Sequence, residues 1–185
     1  GYYLVTSSYA RHAEADGNVA EALAWYDRSE GEQFGRDMLL SKSVLLMDAG
    51  RTQEAGDALN EYAALNSHDA RVWKLKGILA LKLREPGLAF ENVAKAFQLG
   101  KMTDLGITTL YLQTAISAGK QDVMRAQKTD IDTLFSLYAN AIGQNTHFIA
   151  LSRNVEELQT VAGLLGQVFP DDAREYQTIS RQAAD

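Results

Sequence analysis

A glycine followed five positions later by an alanine occurs twice in the chain: residues 17–22 read GNVAEA, and residues 50–55 read GRTQEA. A third turn, residues 85–89 with the sequence EPGLA, places another alanine at position 89. These alanines are 33 and 34 residues apart, and helix-patterned runs precede and follow each turn. Glycine permits the left-handed backbone that ends a helix, and alanine lets two helix axes approach closely. The sequence therefore predicts a repeated pair of helices.

The third repeat carries the pattern most completely, with Trp73 and Gly77 in its first helix and Ala89 and Ala96 in its second. These residues resemble the tetratricopeptide repeat (TPR) family, whose 34-residue unit has an aromatic residue, a glycine and two small residues at those places. The resemblance implies an all-α, right-handed α-solenoid of stacked antiparallel helix hairpins. We expect one continuous domain with three TPR-like units followed by degenerate helical repeats and a C-terminal capping helix, at about residues 3–36, 37–69, 70–103 and 104–185.

Composition and charge exclude several classes of protein. The 185 residues include no cysteine, which excludes a disulfide scaffold, a Cys-ligated metal site and a thiol nucleophile. Residues 68–128 carry ten Lys and Arg against five Asp and Glu, but the whole chain has a net charge of −6. Because this overall charge repels a polyanion, we predict no nucleic-acid partner. Apolar runs are too short for a membrane span, so we expect a soluble protein, cytoplasmic or periplasmic.

Residue types that catalyse reactions or bind metals are scattered. The histidines lie in separate units, and we interpret them as surface or turn residues: His12, His68 and His147. Residues 31–35, GEQFG, are acidic and lack the following Lys and Ser or Thr of a phosphate-binding loop. Two pairs of aspartates stand beside predicted helix starts and are interpreted as helix caps: Asp130 with Asp132, and Asp171 with Asp172. The sequence predicts no enzyme, no metal site and no cofactor.

Other residues are assigned structural roles. Asp69 precedes a predicted helix and is expected to cap it. Trp25 and Tyr26 are adjacent, so they point to different sides of one helix, and one of them is expected in the core. Leu79 and Leu83 are four residues apart and are both expected in the core. The chain starts at Gly1 without an initiator Met, which we interpret as a processed piece of a longer protein.

The family resemblance also implies a binding surface, because the first helix of each TPR unit lines the inner face of the array. Carried onto this chain, it places these partner-binding residues on that face: Arg11, Leu40, Val44, Arg71, Lys74, Ile78, Lys82, Thr108 and Leu112. The four residues within 71–82 are three or four positions apart and form one stripe, basic with an apolar middle. We expect the partner to be a protein or peptide segment with acidic residues and an apolar anchor. Only Arg71 matches the family's carboxylate clamp, which argues against a chaperone-tail receptor.

These features favour a non-catalytic scaffold for protein–protein interaction. Two alternatives remain at this point. One is a regulatory or substrate-handling helical-repeat domain of a larger enzyme or of a membrane-associated assembly machine. The other is a self-associating repeat, in which the basic middle of one copy meets an acidic flank of the next.

Overall fold

A computed structural model describes residues 2–29, 37–100, 104–144 and 148–184 of the chain. Within these ranges the protein forms eleven α-helices and one 3-10 turn, and no β-strand. The predicted all-α class is therefore confirmed. Contacts divide the chain into two compact units, Gly1–Glu85 and Pro86–Asp185. The assignment of individual repeats to residue ranges stays a prediction.

Two antiparallel helix pairs and a fifth helix make up the first unit. Its helices are α1 (Tyr2–Ala15), α2 (Val19–Ser29), α3 (Asp37–Asp48), α4 (Thr52–Leu65) and α5 (Ala70–Lys82). α1 packs along α2, and α3 along α4, while α5 packs on both α4 and α3. Short turns join the helices of each pair, so the two helices run antiparallel. Ala22 and Ala55, the small residues of the repeat pattern, are completely buried, as close helix packing requires.

The turns that end α1 and α3 use glycine as the repeat pattern predicts. Gly17 and Gly50 have φ angles of 73° and 76°, in the left-handed region. After Gly50, the amide of Arg51 donates to the carbonyl of Leu46 at 2.8 Å and closes the helix end. The third turn differs from the prediction, because its left-handed residue is Arg84, with a φ of 62°.

The second unit is built around a long helix. Its elements are α6 (Pro86–Gly100), α7 (Leu105–Ser117), α8 (Gln121–Ala126), α9 (Lys128–Gly143), α10 (Phe148–Val168), a 3-10 turn (Pro170–Asp172) and α11 (Ala173–Gln182). Among the described residues, α10 packs mainly on α11 and α7 and much less on α9. Leu158 and Leu165 of α10 are completely buried. α10 therefore supplies the centre of this unit's core.

Several predicted structural roles are confirmed, and the predicted burial of Leu83 is wrong. The Asp69 carboxylate accepts a hydrogen bond from the Arg71 amide at 2.9 Å and caps α5. Tyr26 is buried, while Trp25 is only partly buried and stacks on Tyr9 with ring centres 4.8 Å apart. Leu83 was expected in the core but is 47% exposed, because α5 ends at the residue before it.

The interpretation of the aspartate pairs as helix caps is wrong. α9 begins at Lys128, before Asp130, and neither α9 nor α11 has a side-chain cap. Lys128 Nζ instead lies 2.6 Å from a carboxylate oxygen of Asp132 and 3.1 Å from one of Asp172. The hydroxyl of Tyr176 donates to Asp132 at 2.5 Å. These contacts tie α9 to the 3-10 turn and to α11, so these two aspartates hold helices together.

Candidate functional site

In the first unit, two ion pairs join the ends of α3 to the ends of α5. Arg71, in the first turn of α5, lies 3.1 Å from the carboxylate of Asp37, the first residue of α3. Lys82, the last residue of α5, lies 3.3 Å from the carboxylate of Asp48, the last residue of α3. The partners in each pair are 34 residues apart, which is one repeat length. Since like ends are paired, the two helices run parallel.

We name the surface between these two ion pairs the α3–α5 face. It is formed by Asp37, Leu40, Val44 and Asp48 of α3 and by Arg71, Lys74, Ile78 and Lys82 of α5. The successive residues on each helix are three or four positions apart, so each set lies along one stripe. The structure thus brings together six of the nine residues that the family resemblance placed on the inner face.

The end of the face at the helix N-termini is held by a network of side chains. Arg71 Nη2 lies 2.6 Å from Asp69 Oδ2, and the same nitrogen donates to the hydroxyl oxygen of Tyr62 at 3.1 Å. The Tyr62 hydroxyl in turn lies 2.7 Å from Asp69 Oδ2 and 3.0 Å from Asp37 Oδ1. Burial alone would raise the pKa of Asp69, but hydrogen bonds from Arg71 and Tyr62 outweigh it and lower that pKa to about 2. These contacts fix α3, α4 and α5 to one another.

The middle of the α3–α5 face is apolar. Val44 is 39% exposed, and Ile78 is partly buried against the core of the unit. Leu40 was expected to contact a partner, but it is buried and belongs to that core. The apolar surface offered to solvent here is therefore that of Val44 and Ile78.

The opposite end of the face is held by fewer side-chain contacts. Lys82 Nζ lies 3.3 Å from Asp48 Oδ1 and donates to the carbonyl of Met47 at 3.5 Å. The side chains of Lys82 and Asp48 are 43% and 67% exposed. Ion pairs with this exposure are screened by water and salt and contribute at most about 1 kcal/mol.

Three predicted residues lie elsewhere. Arg11 is exposed on α1, where its Nε donates to the Ser7 carbonyl at 3.2 Å. Thr108 and Leu112 are buried in the second unit, where they line a small cavity with room for about one water molecule. Their burial corrects the expectation that they face a partner, because the inward side of α7 is covered by α10.

Sequence analysis did not pair Arg71 and Lys82 with acidic residues of α3. It treated the stripe on α5 as a basic surface, whereas the structure neutralises both ends with Asp37 and Asp48 of α3. The signal that could have found them is the repeat length. Subtracting 34 from 71 and from 82 gives 37 and 48, the positions of two aspartates.

Comparison with known proteins identifies the fold. No protein-family model matches the chain, and no curated protein resembles it in sequence. A crystal structure of MamA, 15% identical, matches with a TM-score of 0.59 over 98% of this chain and 91% of the MamA chain. A MamA double mutant, also 15% identical, matches with a TM-score of 0.61 over 98% of this chain and 93% of the mutant. MamA is a TPR-like protein. The chain has a TPR-like fold. At 15% sequence identity, structural similarity supports a shared fold but not a shared function.

The histidines lie as predicted where the structure describes them. His12 and His68 are exposed, and His147, like residues 31–35, lies outside the described part of the chain. His12 Nε2 lies 3.5 Å from the carboxylate of Asp16, one helical turn later. Within the described ranges, no three His, Asp or Glu side chains come together in a way that could hold a metal ion.

None of the described helices of the TPR-like fold combines the length and the apolar character needed to cross a membrane.

Replacing Thr108 with valine is expected to stabilise the protein by about 1 to 2 kcal/mol. The buried Thr108 hydroxyl has no hydrogen-bond partner among the described residues, and valine replaces it with a methyl group of similar shape. Urea unfolding followed by circular dichroism measures the change. Thr114→Val is the matched control: the Thr114 hydroxyl is also buried but donates to the Leu110 carbonyl at 2.7 Å, so this variant should lose stability. A destabilised Thr108→Val protein would show that its hydroxyl has a partner.

Proposed function

We propose that the protein is a non-catalytic scaffold that binds a segment of another protein on the α3–α5 face. The observation that carries this proposal is the position of Val44 and Ile78 between two ion pairs. An apolar centre surrounded by charged groups is the usual composition of a protein-binding surface, because the centre provides burial energy and the rim provides specificity.

The network at Arg71 supports the proposal by making the surface rigid. A surface that is already ordered loses little conformational entropy when a partner binds. Arg71 is held by Asp37, Asp69 and Tyr62, so we assign it to this positioning role. The proposed contact residues are Val44, Ile78 and Lys82, with Lys74 beside them on α5.

The proposal predicts that Val44→Asp abolishes capture of the partner. A carboxylate in the centre of the contact would have to be desolvated on binding, which is expected to weaken affinity at least about tenfold. The wild-type chain and variants are used as bait in a lysate of the native source, and captured proteins are identified by mass spectrometry. The affinity of the purified partner is then measured by calorimetry.

Val123→Asp is the matched control. Val123 lies on α8 and is 38% exposed, against 39% for Val44, so both variants place the same charge at an equally exposed valine. Both should melt at the wild-type temperature. Retention of the partner by Val44→Asp would contradict the proposal. Loss of the partner by both variants would show that the added negative charge, and not its position, prevents binding. Light scattering on the same samples shows whether the captured partner is a second copy.

A further inference from the structure

The cations of the two ion pairs that border the α3–α5 face differ in the number and length of their contacts. Arg71 contacts Asp69 at 2.6 Å, Asp37 at 3.1 Å and the Tyr62 hydroxyl at 3.1 Å. Lys82 contacts the Asp48 carboxylate at 3.3 Å and a backbone carbonyl at 3.5 Å. An exposed pair at such a distance exchanges easily with other ions. Among the described residues Lys82 meets one carboxylate and Arg71 meets two, so a competing carboxylate is expected to replace Asp48 more readily than Asp69 and Asp37.

Asp48 lies at the C-terminal end of α3, where the helix does not stabilise a negative charge. It is the last residue of α3, and the unpaired carbonyls at a helix C-terminus make that end negative. A negative side chain there is repelled by the helix dipole. The described contact that compensates its charge is the one with Lys82. Removal of the Asp48 charge should therefore leave α3 intact.

We infer that Asp48 is an internal competitor of the partner. In the free protein Asp48 pairs with Lys82, and on binding a carboxylate of the partner takes its place. The inference rests on the proposed function of the α3–α5 face and adds the chemistry of the partner to it. The partner segment carries an acidic residue that replaces Asp48, and an apolar residue that covers Val44 and Ile78. Arg71 keeps its contacts with Asp69 and Asp37, so the required acidic residue is the one that pairs with Lys82.

The spacing along α5 sets the spacing in the partner. Ile78 and Lys82 are one helical turn apart, about 6 Å along the axis. An extended chain advances about 3.3 Å per residue, so the acidic residue stands two positions from the apolar one. Either chain direction satisfies this spacing. The expected recognition element is therefore an apolar residue and an acidic residue separated by one position.

A synthetic peptide tests this chemistry directly. The probe is fluorescein-labelled Gly-Gly-Glu-Gly-Leu-Gly-Glu-Gly-Gly, which offers the required spacing in both directions. Its binding to the full chain is measured by fluorescence anisotropy at low salt. Asp48→Asn is expected to bind the peptide about two- to fivefold more tightly than the wild type, the range set by an exposed ion pair. A peptide with Gln in place of both Glu residues should bind wild type and variant equally.

Asp57→Asn is the matched control, because Asp57 is an exposed aspartate on α4 and its loss changes the net charge by the same amount. Equal tightening by Asp57→Asn and Asp48→Asn would overturn the inference, as would no binding of the Glu peptide by any variant. In both cases the proposed function stands, since it is tested by the native partner and Val44→Asp. If Val44→Asp retains the native partner, the proposed function fails instead, whatever the peptide does.

Discussion

Replacing Leu165 with alanine is expected to lower the free energy of unfolding by about 3 to 5 kcal/mol. Leu165 is completely buried in α10 and lines the small cavity beside Thr108 and Phe135. Removing its side chain enlarges an existing cavity, and the cost of such a substitution rises with the empty volume left behind. The helices that line the cavity also contact one another, so they cannot simply move inward.

Urea unfolding followed by circular dichroism measures this loss. Leu137→Ala is the control, because Leu137 lies on α9 in the same unit but is 45% exposed. The control should change stability by less than about 0.5 kcal/mol. A loss below about 2 kcal/mol in Leu165→Ala would show that the core of the second unit collapses around the deletion.

Replacing Asp69 with alanine is expected to cost about 2 to 4 kcal/mol, because one carboxylate serves three purposes. It caps α5 through the Arg71 amide, it pairs with the Arg71 guanidinium at 2.6 Å, and it accepts from the Tyr62 hydroxyl at 2.7 Å. The Asp69 side chain is 19% exposed, so water replaces these bonds poorly. Thermal unfolding of the variant measures the loss, and unchanged stability would contradict the assigned network.

Asp69→Asn separates the cap from the charge. Asparagine caps a helix as well as aspartate does, so this variant keeps the cap and loses only the ionic contacts. The pKa of Asp69 is lowered to about 2 from an ordinary value of 3.8. The stabilisation linked to this charge is therefore present above about pH 5 and disappears as the pH falls toward 2. At pH 7 the wild type should be about 2 kcal/mol more stable than Asp69→Asn, and the difference should vanish in acid. A difference that does not depend on pH would contradict the low pKa.

Local sequence patterns were sufficient to predict the helices and most of the turns between them. Glycine at positions 17 and 50 predicted the left-handed residues, and the alanines at 22 and 55 predicted close helix packing. The Asp69 cap was predicted for the same reason, since a cap depends on two neighbouring residues. Each of these features involves atoms within one or two helical turns, which is the range over which residue type and spacing act directly.

The contacts between helices required the folded chain. Spacing within a helix shows which side is apolar, but it does not show which helix covers that side. The family resemblance placed Thr108 and Leu112 on an open surface, although α10 buries them. Asp132 was likewise assigned to a helix start, although it accepts from Tyr176, which lies 44 residues later in the chain.

The candidate site likewise combines features that the sequence predicts with features that only the folded chain shows. The stripe of Arg71, Ile78 and Lys82 follows from helical spacing alone, and its basic character follows from composition. The neutralisation of its ends by Asp37 and Asp48 depends on the parallel packing of α3 against α5. An electrostatic contact depends on distance in space, and residues that are 34 positions apart in sequence come within 4 Å only when two helices align.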